Sequence, residues 1–459
     1  MDLDFSNKNV AVVGLGVENL PLVKYLKKAG ANVSGRDIKS AEVLGNRFFK
    51  LKNLGIEMVL GPSYLEGLDE YEIVFLTPGI PRSNRQLQEA RKKGVRFSTQ
   101  MELFFTLCPA KIIGITGSSG KTTTTTLVGD MLLRSGLDTR VGGNIGKVLL
   151  EEISDMTEET RVVLELSSFQ LQDMLVSPNI SLITNITPNH LDVHTDMAEY
   201  IEAKKQVFLH QTKSDVVVFN AEDPLVNSFV QEAKGKAYLF SKKPLPLGVE
   251  GAFIKDKWIV LRLDEEIMIS PVESIKLLGL HNRENVLAAT LIAYLAGANI
   301  NAIREAISEF RGVEHRLEYL ATIEGIRYYN DSIATSPARA KAGLLAFNEP
   351  VVLIAGGYDK KIPFDELKEA VKLKKPRAVV TLGDTAPIIE NSLQGLVPLY
   401  RVDSLEEAVK KASSIAKAGD CVLLSPACAS FDMFSSYIER GNEFKRLVLN
   451  KVKDINPES

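Results

Sequence analysis

The chain has 459 residues, 45% of them hydrophobic and 25% charged, and at about 150 residues per domain this length favours three domains over one. Its 55 lysines and arginines nearly balance its 58 aspartates and glutamates, for a formal net charge of -3, so no global field would recruit nucleic acid or an anionic membrane. No apolar run approaches the roughly 20 residues that span a bilayer, and the N-terminus lacks a secretory signal pattern, so we expect a cytoplasmic chain without membrane insertion.

Short apolar runs alternate with helical spacing through the first hundred residues, which indicates repeated strand-helix units. Gly14-Leu-Gly16 follows the first predicted strand and forms a turn able to accept a diphosphate, although Asn19 replaces the third glycine of the dinucleotide fingerprint. Such a turn suits NAD as well as a sugar nucleotide, with Asp37 as a candidate ribose contact. We predict a Rossmann-like α/β domain over residues 1–99.

The strongest single motif is Gly114-Ile-Thr-Gly-Ser-Ser-Gly-Lys-Thr122, which joins a predicted strand to a predicted helix, as a phosphate-binding loop does. Backbone amides and the helix N-terminus would face phosphate oxygens, Lys121 would add a point charge, and the Thr122 hydroxyl would bind Mg²⁺. Ile115 departs from a generic Walker motif, and the alternative is a glycine-rich turn that only caps a helix. We predict a P-loop-type ATP-binding α/β domain over residues 100–312.

Polar residues follow two further strand patterns of this central domain. Glu165 ends the first, where it is either a Mg²⁺ ligand or a solvent-facing strand end. His190 follows the second and is a candidate ligand or substrate contact, whereas His194 fits a structural role better. Around Trp258, short alternating runs predict an antiparallel insertion or sheet edge.

The strand-helix pattern restarts after Gly312 and predicts a third, Rossmann-like domain over residues 313–459. Arg316 would neutralise a phosphate and Asp331 would hold a ribose or adenine. In isolation both would be surface residues. Lys360 follows another strand, and its alternative is a solvated charge.

Several segments together resemble the Mur ligases of bacterial cell-wall synthesis, which share Gly-x-Thr-Gly-x-x-Gly-Lys-Thr with folylpolyglutamate synthetases. This resemblance accounts for the Walker departure. Glu165-Leu-Ser-Ser-Phe-Gln resembles the branch that adds D-glutamate, and the Asp-Asn-Pro-Arg signature of the diaminopimelate- and lysine-adding branches is absent. The segments that carry the resemblance are 142–146, 165–171, 185–192, 281–285, 330–335 and 424–430.

The resemblance implies an ATP-dependent ligase that adds D-glutamate to UDP-N-acetylmuramoyl-L-alanine through an acyl phosphate, in peptidoglycan precursor synthesis. The implied ATP contacts are Gly117, Gly120, Lys121, Thr122, Thr123, Asn285, Arg316 and Asp331. The implied contacts to the UDP substrate are Leu15, Gly16, Asp37, Ile38, Lys39, Gly79, Asn144 and His190. The implied D-glutamate contacts are Thr335, Lys360, Ser430 and Tyr437.

Two Mg²⁺ sites are also implied, one held by Thr122 and Glu165 and the other by His190 and Lys204. The resemblance further implies that CO₂ carboxylates Lys204, and that Lys121, His190 and Lys204 are catalytic. Without the resemblance, the helix around Lys204 has the pattern of a solvated face.

Two positions depart from the family pattern. Ile333 stands where the family commonly has lysine, so that charge must be absent or replaced here, and Tyr437 stands where phenylalanine is frequent. We expect a monomer with small-molecule partners, whose C-terminal domain closes about Arg311-Gly312. The alternatives are another Mur-type ligase, a P-loop module that hydrolyses ATP without ligation, and an NAD-dependent oxidoreductase.

Overall fold

The computed structural model describes residues 4–455, apart from residues 17, 79, 146–147, 189–193, 278 and 280. The chain forms two compact units. The first unit holds the residues up to Ile275 together with Arg283–Ser308, and the second holds Lys276–Asn282 and the residues from Glu309 onward. The predicted domain boundaries after residues 99 and 312, and the closure about Arg311-Gly312, stay predictions.

The first unit begins with a parallel five-stranded sheet in the order β3-β2-β1-β4-β5. Its elements are β1 (Asn9–Val13), α1 (Asn19–Lys28), β2 (Asn32–Asp37), α2 (Ala41–Leu44), α3 (Asn46–Asn53), β3 (Glu57–Leu60), β4 (Ile73–Leu76), α4 (Arg85–Lys92) and β5 (Arg96–Ser98). This order confirms the Rossmann-like fold predicted for the N-terminal domain.

A nine-stranded sheet follows in the same unit, in the order β14-β13-β12-β11-β10-β9-β6-β8-β7. Its elements are α5 (Gln100–Leu107), β6 (Lys111–Thr116), α6 (Lys121–Arg134), β7 (Thr139–Gly143), β8 (Arg161–Glu165), α7 (Ser168–Leu171), β9 (Ile180–Ile183), α8 (Met197–Leu209), β10 (Val216–Asn220), α9 (Pro224–Ser228), β11 (Lys236–Ser241), β12 (Gly251–Lys255), β13 (Trp258–Arg262), β14 (Glu266–Pro271), α10 (His281–Leu295) and α11 (Ile300–Glu309).

Burial explains the sequence patterns of these strands. The strands β6, β8 and β9 lie inside the sheet, and all of their residues after the first are buried. Parallel strands covered on both faces are nearly continuous apolar runs. The pairs β12–β13 and β13–β14 are antiparallel, which confirms the antiparallel edge predicted around Trp258.

The second unit contains a six-stranded sheet in the order β15-β16-β20-β17-β18-β19. Its elements are β15 (Glu318–Ile323), β16 (Ile326–Asn330), α12 (Pro337–Leu345), β17 (Val351–Gly356), α13 (Asp365–Lys374), β18 (Ala378–Leu382), α14 (Ala386–Leu393), β19 (Leu399–Arg401), α15 (Leu405–Ile415), β20 (Cys421–Leu424) and α16 (Tyr437–Ile455). All strand pairs are parallel except β15–β16. The predicted α/β class is therefore confirmed for all three sheets.

Membrane insertion was not expected from the sequence. Among the described residues, every helix is too short or too polar to cross a bilayer.

Candidate active site

The Gly-Lys-Thr motif lies in the loop that joins β6 to α6, at the carboxyl ends of the parallel strands, where ligands of such sheets bind. Gly117 has φ +146° and Gly120 has φ +83°. A Cβ at Gly117 would overlap the Thr184 hydroxyl, and a Cβ at Gly120 would overlap the Asn285 amide oxygen. Both conformation and space therefore require glycine at these two positions.

Hydrogen bonds attach this loop to the end of the neighbouring strand β9. The Ser118 and Ser119 amides donate to the Asn185 backbone and side-chain oxygens, both at 2.9 Å. The Thr184 hydroxyl donates to the Ser119 carbonyl at 2.6 Å. The loop is thus held in shape by the protein itself before any ligand binds.

Two lysine side chains meet at one backbone carbonyl of the loop. The Lys121 Nζ donates to the Gly117 carbonyl oxygen at 2.9 Å, and the Lys204 Nζ donates to the same oxygen at 2.8 Å. The Lys204 Nζ also lies 4.7 Å from the Tyr200 ring centroid. The structure therefore brings together two of the three predicted catalytic residues, while the third, His190, lies outside the described residues.

Lys204 is only 1% exposed, so the solvated-face interpretation of its helix is wrong. Tyr200, Lys204 and Phe208 recur at four-residue spacing, and all three are buried on one face of α8. Burial lowers the pKa of Lys204 well below its ordinary value, and nearby Lys121 lowers it further, while Glu165 opposes the shift. The neutral amine is therefore accessible at this position.

Glu165 ends β8 next to the loop strand β6 and is buried, so its interpretation as a solvent-facing strand end is wrong. Its Oε1 accepts a hydrogen bond from the Asn144 side-chain amide at 2.7 Å. Its Oε2 is buried and has no hydrogen-bond partner among the described residues. A carboxylate oxygen left unsatisfied in this way is suited to a hard cation.

Asn144 was predicted to contact the UDP substrate. In the structure its side chain is hydrogen-bonded to Glu165. Besides the side-chain contact, its backbone amide donates to the Glu165 carbonyl at 2.9 Å. Asn144 is itself exposed. It therefore orients the carboxylate while one edge of the residue remains open to a ligand.

His194 has the environment of a structural histidine. It is buried, its ring stacks on Phe169 with centroids 4.9 Å apart, and its Nε2 lies 2.9 Å from the Ser168 hydroxyl.

A cavity of about 230 Å³ adjoins this region. Its lining includes Arg82, Phe169 and Glu199, so it lies between the first sheet and the central sheet of one unit.

The remaining predicted ATP contacts divide between the two units. Asn285 is buried in the first unit beside Gly120, and Thr122 and Thr123 begin α6, half-buried and buried respectively. Arg316 and Asp331 belong to the second unit. The structure thus assembles the loop, its helix and Asn285 into one cradle.

In the second unit, Asp331 is buried at the end of β16 and is not a surface residue. Its carboxylate accepts hydrogen bonds from the Ser425 hydroxyl at 2.7 Å and the Leu317 amide at 3.2 Å. Burial raises its pKa to about 7, and the nearby guanidinium of Arg316 opposes this shift.

The predicted UDP contacts surround the end of β1. The Leu15 amide donates to the Asp37 carboxylate at 2.6 Å, and the Lys39 amide donates to the same carboxylate at 2.9 Å. Asp37 therefore shapes the turn as well as lining it. Asn19, which replaces the third fingerprint glycine, donates from its side chain to the Gly14 carbonyl at 2.7 Å.

The other predicted contacts at this end differ in accessibility. Gly16 is half-buried, and the space where its Cβ would lie is open within 4 Å. Ile38 and Lys39 are exposed. Gly79 lies outside the described residues.

The four predicted D-glutamate contacts lie on three segments of the second unit. The Lys360 Nζ donates to the Thr335 carbonyl at 3.3 Å, Ser430 is buried, and Tyr437 begins α16. Buried Arg440 joins the segment of Thr335 to that of Ser430, because its guanidinium donates to the carbonyls of Ser332 at 3.0 Å and Cys428 at 3.1 Å. This arginine was missed in the sequence, where it has no distinguishing pattern.

The described residues contain no group of three or more His, Cys, Asp or Glu side chains that could hold a metal ion. Among the described residues, the Thr122 hydroxyl is a further candidate oxygen ligand for a cation near Glu165.

We predict that Gly120→Ala reduces ATP affinity at least about 100-fold, because the new methyl group would displace Asn285 and strain a positive φ. The matched control is Gly136→Ala, since Gly136 has φ +76° with open space around its Cβ position. The control should lose roughly 1 kcal/mol of stability and keep ATP affinity within about twofold. Calorimetric titration of each variant with ATP measures the two affinities. Equal ATP affinities of the two variants would contradict the role of the cradle.

The raised pKa of Asp331 predicts pH-dependent stability. The folded state binds this proton more tightly than the unfolded state, whose carboxyl titrates near 4, so the Asp331 contribution to stability falls as pH rises from about 4 to about 7. Asp331→Asn should remove this component, on the order of a few kcal/mol. Urea unfolding of both proteins at pH 5 and pH 7.5 measures it, and identical pH dependence in both would contradict the prediction.

Three family models match successive parts of the chain. A Mur ligase MurD-like N-terminal domain matches residues 8–98, a Mur ligase middle domain matches residues 115–293, and a Mur ligase glutamate ligase domain matches residues 315–428. The first and third matches contain the five-stranded and six-stranded sheets, and the second contains all of the nine-stranded sheet except the start of β6.

Curated relatives match over nearly the whole chain. UDP-N-acetylmuramoylalanine--D-glutamate ligase of Symbiobacterium thermophilum is 47% identical over 96% of this chain and 98% of the relative. The ligase of the same name from Clostridium novyi is 47% identical over 97% of both chains.

Solved structures of lower identity share the fold. UDP-N-acetylmuramate-alanine ligase of Thermotoga maritima has a TM-score of 0.55 at 22% identity, covering 97% of this chain and 100% of that chain. The MurF ligase of Thermotoga maritima, solved in complex with ADP, has a TM-score of 0.55 at 14% identity, covering 99% of this chain and 100% of that chain. Family models, relatives and fold agree: the chain belongs to the Mur ligase family of ATP-dependent amide ligases.

Proposed function

We propose that this chain joins D-glutamate to UDP-N-acetylmuramoyl-L-alanine, with ATP as the energy source, in peptidoglycan precursor synthesis. The observation that carries the proposal is the 47% identity over 96% of the chain with a relative of that name. The match leaves out too little of the chain to omit any of the three sheets. The dinucleotide alternative loses its support because it leaves the Gly-Lys-Thr cradle without a role.

The chemistry must first activate a carboxylate, because its direct leaving group would be oxide. The terminal L-alanine carboxylate oxygen attacks the γ-phosphorus of ATP, the bond to the β,γ-bridging oxygen breaks, and ADP leaves. The D-glutamate amine then attacks the acyl carbon, the bond to the phosphate oxygen breaks, and the amine loses a proton. The products are an amide, ADP and inorganic phosphate.

The residues of the cradle supply positioning and charge for the first step. The loop amides and Lys121 would hold the β- and γ-phosphates, and Lys121 would exchange its bond to the Gly117 carbonyl for a phosphate oxygen. Two anions, carboxylate and triphosphate, must approach each other, so fixed cations lower the barrier mainly by electrostatics.

The donor set beside the cradle fits Mg²⁺. Thr122 and Glu165 would hold one ion, since the Glu165 Oε2 is buried without a partner among the described residues. Lys204 and His190 are the proposed ligands of a second ion. When bound, such ions neutralise phosphate charge and orient the transferring group.

Lys204 can serve a cation only after a change in its chemistry, because an ammonium repels metal ions. Its lowered pKa leaves a neutral amine that can attack CO₂. The amine nitrogen forms a C–N bond to CO₂ and a proton is released. The resulting carbamate presents two hard oxygen ligands. We include this carboxylation in the proposal.

The proposal includes the substrate contacts that the resemblance implies. The turn after β1 would receive the UDP diphosphate, and the cavity of about 230 Å³ beside Phe169 lies between this domain and the central sheet. The second unit would hold D-glutamate near Thr335, Lys360, Ser430 and Tyr437. Since every proposed contact lies on one chain, the enzyme would act as a monomer, in the cytoplasm where ATP is present.

We predict that the chain releases phosphate from ATP only when UDP-N-acetylmuramoyl-L-alanine and D-glutamate are both present. Lys121→Ala should lower the rate at least about 1,000-fold, because it removes the charge on the transferring phosphate. Phosphate release measured across a panel of D- and L-amino acids tests both statements. A higher rate with another amino acid would move the chain to a different ligase, and release without any amino acid would favour a hydrolysing module.

We predict a carbamate on Lys204. Incubation with ¹³C-bicarbonate should give the wild-type protein a carbamate carbonyl resonance in ¹³C NMR, which Lys204→Met should lack. Lys205→Met is the matched control, because neighbouring Lys205 is paired with Glu202 and Glu232 and should not be carboxylated. A resonance that persists in Lys204→Met would contradict the assignment.

A further inference from the structure

In the segment between β16 and α12, the resemblance to the Mur ligases implies a lysine at position 333, where this chain has isoleucine. The side chain of Arg339 reaches the backbone at position 333. The Arg339 guanidinium, from the first turn of α12, donates to the Ile333 carbonyl at 3.3 Å. Two residues further along the segment, the Thr335 carbonyl accepts a hydrogen bond from the Lys360 ammonium, also at 3.3 Å.

Arg440 fixes the framework around these two cations. Its guanidinium donates to both oxygens of Ser332 at 3.0 Å, and it also donates to the Ala429 carbonyl at 3.1 Å. It is 2% exposed. The segment that carries Thr335 is therefore held against the loop that carries Ser430.

The cations at this place have no direct ion pair. Within the described part of the chain, Arg339, Lys360 and Arg440 form no ion pair with a carboxylate within 4 Å, although Asp331 interacts electrostatically with Arg339, and Asp432 with Arg440. Burial lowers the pKa of Lys360, and the charges of Arg339 and Arg440 lower it further. Cations whose hydrogen bonds go only to neutral oxygens favour the binding of an anion.

Helix electrostatics place Arg339 at an unfavourable position for stability. A cation in the first turn opposes the positive end of the helix dipole. The first turn of α12 has no acidic residue, and the Ser336 N-cap side chain accepts no hydrogen bond from the helix. The helix dipole therefore does not explain this arginine, whereas an anionic ligand would benefit from both the guanidinium and the helix end.

We propose that Arg339 binds one of the two carboxylates of D-glutamate and replaces the charge absent at Ile333. This inference rests on the proposed function. The carboxylate would exchange the weak bond between Arg339 and the Ile333 carbonyl for charge-assisted bonds, which are roughly twice as strong. Lys360 would hold the other carboxylate, and Arg339 would be a specificity-determining residue for an acidic amino acid.

Arg339→Ala should raise the KM for D-glutamate by about 10- to 100-fold, the usual loss for one charge-assisted contact. The KM values for ATP and for UDP-N-acetylmuramoyl-L-alanine should stay within about twofold. The matched control is Lys341→Ala on the same helix, because Lys341 is paired with Glu369 at the surface. Unchanged thermal unfolding of all variants would show that the fold is intact.

Restoring the charge at the family position tests replacement directly. Ile333→Lys in the Arg339→Ala background should recover most of the affinity for D-glutamate, whereas Ile333→Leu should recover none. Equal behaviour of the two double variants would overturn the replacement.

Analogues locate the carboxylate that Arg339 binds. D-glutamine and D-isoglutamine, each lacking one carboxylate, compete as inhibitors against D-glutamate. Arg339→Ala should weaken the binding of the analogue that keeps the carboxylate contacted by Arg339. The inhibition constant of the other analogue should stay within about twofold, since that analogue already lacks the contact. Equal weakening of both would overturn the inference.

Failure of the two proposals can be told apart. A wild-type protein inactive with D-glutamate would overturn both. An active wild type, with Arg339→Ala keeping its KM for D-glutamate within about twofold, would overturn only the role of Arg339.

Discussion

The Gly117 carbonyl oxygen, shared by the ammonium groups of Lys121 and Lys204, is the contact on which the rest of the central site depends. Two like charges around one neutral oxygen are costly in a buried place. Burial and the charge of nearby Lys121 lower the pKa of Lys204, and this reduces the cost because a neutral amine does not repel Lys121. In the proposed function these two side chains take different roles, Lys121 as a cation for phosphate and Lys204 as a neutral amine that attacks CO₂.

The second unit solves a related problem by different means. Arg440 is buried and held by carbonyl and hydroxyl oxygens, so its charge is hydrogen-bonded but not neutralised. Burial lowers its pKa to about 10, which still leaves it charged at neutral pH. Its cost in stability becomes useful if the missing negative charge arrives with a dicarboxylic substrate. In both proposals, a charged ligand would balance charge that the protein leaves without an ion pair.

Local patterns predicted much of the framework. The alternation of strands and helices, the loop between β6 and α6 and the antiparallel edge around Trp258 were predicted from local patterns, because buried parallel strands are short apolar runs that end at polar residues. The edge strand β15 was missed, since its half-buried residues give neither a continuous nor an alternating pattern. Glu165 and Asp331 were found as strand-end carboxylates, but their burial was not, because burial depends on what packs over the strand end.

The sequence by itself determined the phosphate loop, the family and the set of side chains available for chemistry, because these follow from residue order over a few neighbouring positions. Only the tertiary structure decided how those side chains pair. In the folded chain Lys204 is buried and donates a hydrogen bond to the loop, Asn144 donates one to Glu165, and Arg339 donates one to the Ile333 carbonyl. The physical reason is that hydrogen bonding and desolvation act between atoms a few ångströms apart, whatever their separation along the chain.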